Sequence, residues 1–458
     1  MLKVKTMSGK KYYLSTTQIV LLSFLITILV GSVLLALPIS SADGKAVPYV
    51  DALFTATTST CVTGLVTVPT FSTWSLFGQI VILILIQIGG LGVITIMSGI
   101  MILLNVKMGI GDRLLIQDAF NLNTMSGLVR FVKNVLFGTL VIELSGALLY
   151  SLVFVPEFGA KGVWISVFTS VSAFCNAGID IISDSSLCNY ATDPLINAVT
   201  CMLIILGGIG YIVWWDIILV VRTRTNKNRR VFRHLTFHSK IAITVTLALI
   251  FIGAVLIFIF EYSNPLTVGN MSLFDKIQVS FFQSVTTRTA GFASVPQENL
   301  TNASSFVSLI LMLIGGSPVG TAGGMKTVTV AVLVCSAFAT IKNKADATMF
   351  GRRISESSLK KAVAVVCVFM IICAASTVLL MATNDASVID VLYETVSATA
   401  TVGLSRNLTS SLNVAGKFII IVTMYLGRVG PISLAVALGS KKESQNVISE
   451  PIEDISIG

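Results

Sequence analysis

Four short segments that each end in glycine carry the residues of this chain best suited to bind a small cation. Their closing glycines follow one another at 114, 113 and 112 residues. A fixed period with similar content at each mark is typical of repeated structural units. The members are Thr60, Cys61, Val62, Thr63 and Gly64; Phe174, Cys175, Asn176, Ala177 and Gly178; Thr287, Arg288, Thr289, Ala290 and Gly291; and Ala400, Thr401, Val402 and Gly403.

The chemistry that such segments offer is replacement of an ion's water shell by backbone oxygen. A ring of carbonyl groups can supply that oxygen when each segment is extended. Turning the carbonyls toward one axis needs a backbone conformation that a Cβ resists and that glycine adopts at little cost. Any one of the four glycines could be an ordinary turn between helices, but the recurrence favours a filter of four segments.

The composition indicates a membrane protein. Of 458 residues 54% are hydrophobic and 12% are charged, whereas soluble proteins average about 25% charged residues. Apolar runs of span length recur along the chain, which predicts a polytopic protein. The net charge of +9 does not indicate nucleic acid binding, because the basic residues lie in short segments between apolar runs.

Around each filter segment the sequence repeats one pattern, namely a span, a half-length helix, the filter and a second span. We therefore predict an all-α fold with four such repeats around one pore, eight full spans and four pore helices. The repeats occupy residues 1–106, 107–222, 223–342 and 343–440, followed by a tail at 441–458. Predicted spans are 17–37, 74–104, 134–155, 195–221, 240–260, 304–340, 361–381 and 415–439, and predicted pore helices are 46–59, 161–173, 271–285 and 387–398.

The distribution of lysine and arginine predicts the orientation. The connections between repeats and the termini hold 23 of them, and the filter side holds six. By the positive-inside rule both termini are cytoplasmic and the filters face outside. The basic connections suit anionic lipids or an acidic partner.

A second landmark follows each filter by 24 to 29 residues. Gly89-Gly90 and Gly207-Gly208 are typical of close helix packing in lipid. The third copy is different, because residues 315–324 contain five glycines and Pro318, which predicts a broken helix at membrane depth. A kink is the alternative there. A phosphate-binding loop is disfavoured, because Met325 stands where the glycine before Lys326 is required.

In the fourth copy Arg428 replaces the glycines of the other repeats. An arginine at bilayer depth costs about 2.5–3.5 kcal/mol on insertion scales, so its side chain must face protein or water. We predict that Arg428 projects into the pore, bonds carbonyls of the Gly-rich stretch and forms a barrier to cations. The alternative is a structural ion pair with Glu143.

Other ionisable residues carry weaker hypotheses. Glu143 lies mid-span, where an acid is either functional or an interface contact. Glu394, in the fourth pore helix, is predicted to brace the filter from behind rather than to bind the ion. Asp180 and Asp184 either concentrate cations in an outer vestibule or are solvated loop residues.

The remaining candidates for catalysis or metal binding form no constellation. His234 and His238 lie in a basic connection with no carboxylate or cysteine cluster nearby. Seven cysteines in mostly apolar surroundings indicate neither a disulfide framework nor a metal site. We therefore expect no catalytic activity, no covalent cofactor and no intramembrane enzyme.

With these motifs the chain resembles the Ktr/Trk/HKT superfamily of potassium transporters, and most of all the membrane subunit of Ktr systems. The four filter segments carry the resemblance over nearly the whole chain, and an extra N-terminal helix pair typical of Trk subunits is missing. Gly64 implies potassium preference. Only the fourth segment keeps Thr-Val-Gly, so the resemblance leaves sodium open as a leaking or activating ion. It implies a gate at Gly315, Gly316, Gly320, Gly323, Gly324, Lys326 and Arg428.

The same resemblance implies a homodimer in the plasma membrane, seated on a cytosolic ring of nucleotide-binding subunits of the RCK/KTN type. No such domain lies in this chain, whose longest cytosolic connection, near 104–133, has about 30 residues. A coupled transporter for an organic solute is the competing function. It is disfavoured because such proteins often use inverted repeats, whereas the charge pattern gives all four repeats one direction.

Overall fold

The structure is a computed structural model that describes residues 2–5, 11–104, 106, 109–119, 127–223, 231–344 and 346–430. The described part of the chain is mainly helical, and the helices follow the predicted repeats. Repeat one begins with a β-hairpin, β1 (Leu2–Lys5) and β2 (Lys11–Leu14). It continues with α1 (Thr16–Leu35), α2 (Tyr49–Cys61), α3 (Thr70–Thr73), α4 (Leu76–Leu91) and α5 (Val93–Leu103).

The other repeats share with repeat one the order of a long helix, a pore helix and a second helix, and differ in the short elements around them. Repeat two contains α6 (Ile110–Ala119), α7 (Leu128–Phe158), α8 (Ala160–Cys175), α9 (Pro194–Gly208) and α10 (Tyr211–Thr223). Repeat three contains α11 (Val231–His234), α12 (Phe237–Glu261), α13 (Leu273–Thr286), α14 (Asn302–Leu313) and α15 (Thr327–Ile341). Repeat four contains β3 (Thr348–Met349), β4 (Arg352–Arg353), α16 (Glu356–Thr383), α17 (Val388–Ala400) and α18 (Val414–Val429).

In each repeat the helix that precedes the pore helix is long and apolar enough to cross a membrane. These are α1, α7, α12 and α16. The rest of the protein buries between 22% and 33% of the apolar stretch of each helix. Apolar side chains left outside on a helix of span length are covered by lipid. These four helices therefore form the periphery.

The four pore helices α2, α8, α13 and α17 lie inside that periphery, and most of their residues are buried. Two of them begin at a serine whose hydroxyl accepts a backbone N–H, Ser272 from Asp275 and Ser387 from Asp390. Such caps satisfy amide groups that would otherwise lack a partner. All four helices end beside a filter segment, so their negative C-terminal ends point toward it.

The second helices differ from our prediction, which treated 74–104 and 195–221 as single spans. Helices α4 and α5 meet at 100°, and α9 and α10 at 93°. Gly92 and Gly210 lie at these breaks with φ of +85° and +94°, and α18 ends at Gly430 with φ of +87°. Glycine in this conformation ends a helix. The break predicted only for the third repeat therefore has counterparts in repeats one and two.

The prediction of an all-α fold is also incomplete. The two antiparallel hairpins β1–β2 and β3–β4 lie before α1 and before α16. Neither was expected, because short strands in charged connections have no apolar periodicity to reveal them. Residues 431–440 of the fourth repeat and the predicted tail at 441–458 lie outside the described residues.

Glycines on the second helices let those helices touch the ends of the pore helices. A Cβ at Gly89 would collide with the carbonyl of Thr60, and a Cβ at Gly427 with the carbonyl of Thr399. Gly207 stands in the same relation to Phe174. A backbone neighbour cannot move aside as a flexible side chain can, so these contacts set the position of each filter.

We predict that Gly427→Ala lowers the thermal unfolding midpoint of the purified protein in detergent. Overpacking of this kind costs about 1–3 kcal/mol. The matched control is Gly138→Ala in α7, where the added methyl would lie 3.6 Å from the Trp214 ring and should be neutral or slightly stabilising. Equal midpoints for the two variants would contradict the contact.

Candidate functional site

The filter segments leave their pore helices through a left-handed residue two positions before each glycine. Val62, Asn176, Thr289 and Thr401 have φ between +52° and +65°. A residue with a Cβ adopts this region at a cost of about 1–2 kcal/mol. The same strained position therefore recurs in all four repeats, which supports a common backbone shape.

The four closing glycines meet at one place and form what we call the glycine ring (Gly64, Gly178, Gly291 and Gly403). Their φ values are +102°, +64°, +83° and +98°. A Cβ added to Gly64 would lie 3.2 Å from the Cα of Gly403. A Cβ added to Gly178 would lie 2.6 Å from the Cα of Gly291. The ring thus closes at a separation that excludes side chains.

The carbonyl oxygens just before these glycines belong to the same ring. A Cβ added to Gly64 would lie 2.5 Å from the carbonyl oxygen of Ala177. A Cβ added to Gly178 would lie at the same distance from the carbonyl oxygen of Ala290, and one added to Gly291 at the same distance from that of Val402. A Cβ on Gly403 would overlap the oxygen of Thr63. Each glycine therefore faces the carbonyl of the next segment, and four carbonyls surround one axis.

Hydroxyl groups of the pore helices hold these segments from behind. Thr58 Oγ1 accepts from Gly64 N at 2.9 Å, and Ser397 Oγ accepts from Gly403 N at 3.0 Å. Ser172 Oγ accepts from Ile179 N at 3.1 Å, and Thr286 Oγ1 donates to Phe292 O at 2.6 Å. These bonds satisfy backbone groups that a buried, non-helical segment would otherwise leave unpaired.

An outer vestibule of about 470 Å³ opens on one side of the glycine ring and includes all four glycines in its wall. Three acids, Asp180, Asp184 and Glu298, also line it, and no lysine or arginine among the described residues does. A concave wall with one sign of charge raises the local concentration of ions of opposite sign.

An inner cavity of about 530 Å³ lies next to the breaks of the second helices. Its wall includes residues 89–95, 318–320 and 322–324, together with Lys326 and Arg428. The glycine ring thus lies between two open volumes, and the wall of the second one includes Lys326 and Arg428.

The Gly-rich loop, residues 314–326 between α14 and α15, separates the filter from the inner cavity. Its two ends pair, with Gly315 N donating to Met325 O at 3.0 Å and Met325 N to Leu313 O at 3.1 Å. The loop also docks on the break of repeat two, where Ser317 N donates to Gly208 O at 2.8 Å and Tyr211 N to Val319 O at 2.9 Å. Backbone at membrane depth is tolerated when its polar groups are satisfied in this way.

Two basic side chains, Arg428 and Lys326, bond the part of the Gly-rich loop that lies far from its paired ends, which we call the far end. Arg428 donates to Thr321 O at 2.6 Å and to Gly89 O at 2.5 Å. Lys326 donates to Ala322 O at 2.6 Å. Two consecutive carbonyls of the loop thereby carry charge-assisted hydrogen bonds, which are stronger than neutral ones.

The family model of the cation transport protein TrkH matches residues 5–450. The chain belongs to the TrkH family of cation transport proteins. The resemblance noted in the sequence is thereby confirmed at the level of the family.

Individual relatives are similar over nearly their full length. The chain is 40% identical over 431 residues to "Ktr system potassium uptake protein B" of Bacillus subtilis (strain 168), covering 94% of each protein. It is 38% identical over 451 residues to "Potassium/sodium uptake protein NtpJ" of Enterococcus hirae, covering 97% of this chain and 98% of the relative.

A solved structure shares the fold of this TrkH-family chain. The potassium transporter TrkH from Vibrio parahaemolyticus superposes with a TM-score of 0.76 over 94% of this chain and 86% of that one. The sequence identity is 16%, so the likeness supports the fold alone.

Some residues that the sequence analysis placed in extended filter segments of this chain lie in other positions. Thr60, Cys61, Phe174 and Cys175 belong to the last turns of α2 and α8 rather than to extended segments. The Arg288 side chain does not face the vestibule; it is buried and bonds Gly315 O of the Gly-rich loop. A filter position is therefore no guide to where a side chain points.

The alternative ion pair between Arg428 and Glu143 is wrong in this structure. Among the described residues, the ion pairs are those of Arg353, Arg406 and Lys417 with aspartates. Glu143 instead accepts from Gln87 Nε2 at 3.1 Å, behind the second filter.

The Glu394 carboxylate lies beside the segment that follows the fourth filter glycine. The buried Glu394 carboxylate accepts from Ser405 Oγ at 2.7 Å and from Thr409 Oγ1, both just after the fourth filter. That position fits the predicted brace. No cluster of metal ligands occurs among the residues that the structure describes, and this includes the neighbourhood of His234 and His238.

The bracing hydroxyls were missed individually from the sequence. A signal does exist, because a threonine or serine stands six residues before the glycine in repeats one, two and four, at Thr58, Ser172 and Ser397. The third repeat uses Thr286, five residues before its glycine. The pore helices contain so many hydroxyls that this spacing does not stand out.

We predict that uptake depends on the pH outside through Asp180. Burial raises the pKa of this carboxyl to about 6, so protonation removes a negative charge from the vestibule below that pH. Rubidium uptake at subsaturating concentration should fall about threefold between pH 7 and 5, since one screened charge contributes under about 1 kcal/mol.

Asp180→Asn should abolish the inflection near pH 6 and lower uptake at neutral pH. The matched variant Asp184→Asn removes another vestibule charge and should lower uptake while keeping the inflection. Persistence of the inflection in Asp180→Asn would contradict this assignment.

Proposed function

We propose that this chain carries potassium into the cell through the axis of the glycine ring. The observation that carries the proposal is the mutual approach of four backbone carbonyls, those of Thr63, Ala177, Ala290 and Val402, around one axis. Such a ring can replace the water shell of a monovalent cation. Full-length relatives whose names specify potassium uptake give the choice of ion.

Three buried hydroxyls of the filter segments are available as further oxygen ligands. The side-chain oxygens of Thr60, Thr63 and Thr401 lack a hydrogen-bond partner among the described residues. Buried polar groups in proteins are nearly always paired. Unpaired hydroxyls on the filter segments are therefore consistent with an ion or water path beside them.

The direction of flux follows from electrostatics and topology. The acidic vestibule faces outside if the positive-inside pattern holds, and the pore helices direct their negative ends at the filter. Both features favour cation entry from outside, down the electrochemical gradient. We propose a plasma-membrane protein with eight spans, four pore helices and cytoplasmic termini.

Sodium is a second candidate ion on a specific observation. Only the fourth filter segment reads Thr-Val-Gly, whereas the second reads Cys-Asn-Ala-Gly. A relative at 38% identity is named for potassium and sodium uptake together. Unequal segments form a less regular cage, which reduces discrimination between the two ions.

The Gly-rich loop is the proposed gate. It lies directly beneath the filter, where Gly323 N donates to Thr289 Oγ1 at 3.2 Å and Thr321 Oγ1 donates to Phe174 O at 3.2 Å. Arg428 bonds the loop and places a positive charge at the entrance to the inner cavity. An ion leaving the filter would have to displace this loop.

We propose a partner-controlled homodimer. The word "system" in the name of the Bacillus subtilis relative indicates more than one component. A cytosolic ring of nucleotide-binding subunits of the RCK/KTN type would receive the basic connections of this chain, which hold most of its lysine and arginine. Membrane lipids would cover the four peripheral helices, and no nucleic acid is involved.

The filter is tested in a bacterium that lacks potassium uptake, with the chain expressed together with its cognate regulatory subunit. Wild type should restore growth at low potassium, and Gly403→Ser should abolish growth or admit sodium, because a side chain there overlaps Thr63 O. The control is Gly44→Ser, at φ of +68° with no atom within 4 Å, which tests backbone strain alone. Equal growth of both variants would place the ion path elsewhere.

The gate is tested by Arg428→Ala in proteoliposomes without a regulatory subunit. Loss of the positive charge and of the bond to Thr321 O of the loop should raise basal rubidium flux, by roughly tenfold for one charged hydrogen bond. Arg428→Lys keeps the charge and should give a smaller increase. Unchanged or reduced flux of a folded Arg428→Ala protein would contradict the barrier.

A further inference from the structure

Arg288 occupies a filter position at which the other repeats have small, uncharged residues. It stands three residues before Gly291, and the corresponding positions are Cys61, Cys175 and Ala400. The third segment therefore departs from the fourfold pattern at one side chain, and that side chain is the largest and the only charged one of the four.

The Arg288 side chain is buried without a carboxylate. The residue is 6% exposed, and no ion pair of Arg288 occurs among the described residues. Burial of an unpaired charge is costly and persists where hydrogen bonds compensate it. Its partners here are neutral, namely Thr246 O at 3.3 Å, Thr246 Oγ1 at 3.4 Å and Gly315 O at 3.1 Å.

The bond to Gly315 reaches the neck of the Gly-rich loop, which we define as the paired residues Gly315 and Met325. Gly315 N donates to Met325 O, and a Cβ on Gly315 would collide with Gly323 O. The two arms of the loop thus touch at the residue that Arg288 holds. A shift of the neck cannot leave the guanidinium contacts unchanged.

The next residue of the filter holds the other arm of the loop. Thr289 is left-handed, with φ of +65°, and its hydroxyl accepts from Gly323 N at 3.2 Å. Two consecutive residues of the third filter therefore contact both arms of the loop. Arg428 and Lys326, in contrast, bond Thr321 and Ala322 at the far end.

We propose that Arg288 is a positioning residue that ties the neck of the Gly-rich loop to the third filter segment, so that ion discrimination depends on the position of that neck. This inference rests on the proposed function. Loop displacement at the far end breaks the bonds of Arg428, whereas the neck stays with the filter. Loss of the Arg288 side chain releases the neck from the third filter segment, so that both ion discrimination and gating change.

The inference separates three variants of the same pore. Gly291→Ser should change the potassium-to-sodium preference with little change in gating. Arg428→Ala should raise basal flux and keep the preference. Arg288→Met, which preserves length and removes the donors, should do both at once. The preference should change on the order of tenfold, the equivalent of one charged hydrogen bond.

The experiment measures rubidium and sodium flux of the full chain in proteoliposomes, and also the potassium concentration that half-maximally protects the purified protein from heat. The second readout reports ion binding without transport. Arg288→Met should shift that concentration by about the same factor, whereas Arg428→Ala should leave it in place. Arg288→Lys can reach one of the two carbonyls, Thr246 O or Gly315 O, and should shift that concentration by less than Arg288→Met does. It replaces Arg288→Met in the experiment if the methionine variant does not fold.

The outcomes distinguish this inference from the proposed function. A shift in Gly291→Ser with wild-type behaviour of both Arg288 variants overturns the role of Arg288 and leaves the filter intact. No shift in Gly291→Ser overturns the filter itself. Raised flux in Arg288→Met with unchanged preference and unchanged protection would make Arg288 a gate residue alone and would also overturn the coupling.

Discussion

The structure depends on one steric constraint, which is that four backbone segments approach so closely at one axis that no Cβ fits there. The glycine ring satisfies it with four residues that are free to adopt positive φ. The same approach brings the carbonyls of Thr63, Ala177, Ala290 and Val402 together. Glycine thus permits the geometry, and the oxygens that it brings together are the proposed ligands of the ion.

A second constraint follows from the first, because non-helical backbone inside a membrane protein must find hydrogen-bond partners. The pore helices meet this need with hydroxyls such as Thr58 and Ser397, which bond the filter amides. The Gly-rich loop meets it by docking on Gly208 and Tyr211 of the second repeat and by accepting bonds from Arg428. The proposed filter and the proposed gate are therefore held by one connected set of hydrogen bonds.

Sequence reasoning was effective where a residue type has a single physical use. The period of the filter glycines predicted the ring, and the replacement of a glycine by Arg428 predicted a bond to the loop that the structure contains. It was weaker where one pattern serves two uses. Gly89-Gly90-Leu91-Gly92 suits close packing and a helix break equally well, so the 100° bend at Gly92 was missed. The direction of the Arg288 side chain depends on the packing of α12, which no local pattern encodes.

The most direct test is to locate the ion. Diffraction from crystals of the full-length protein grown in rubidium, recorded at the rubidium absorption edge, would show anomalous density at bound ions. We predict a peak on the axis of the glycine ring, within coordination distance of the carbonyls of Thr63, Ala177, Ala290 and Val402. Density confined to the inner cavity beside Arg428, or to a groove outside the ring, would contradict a filter built from these four segments.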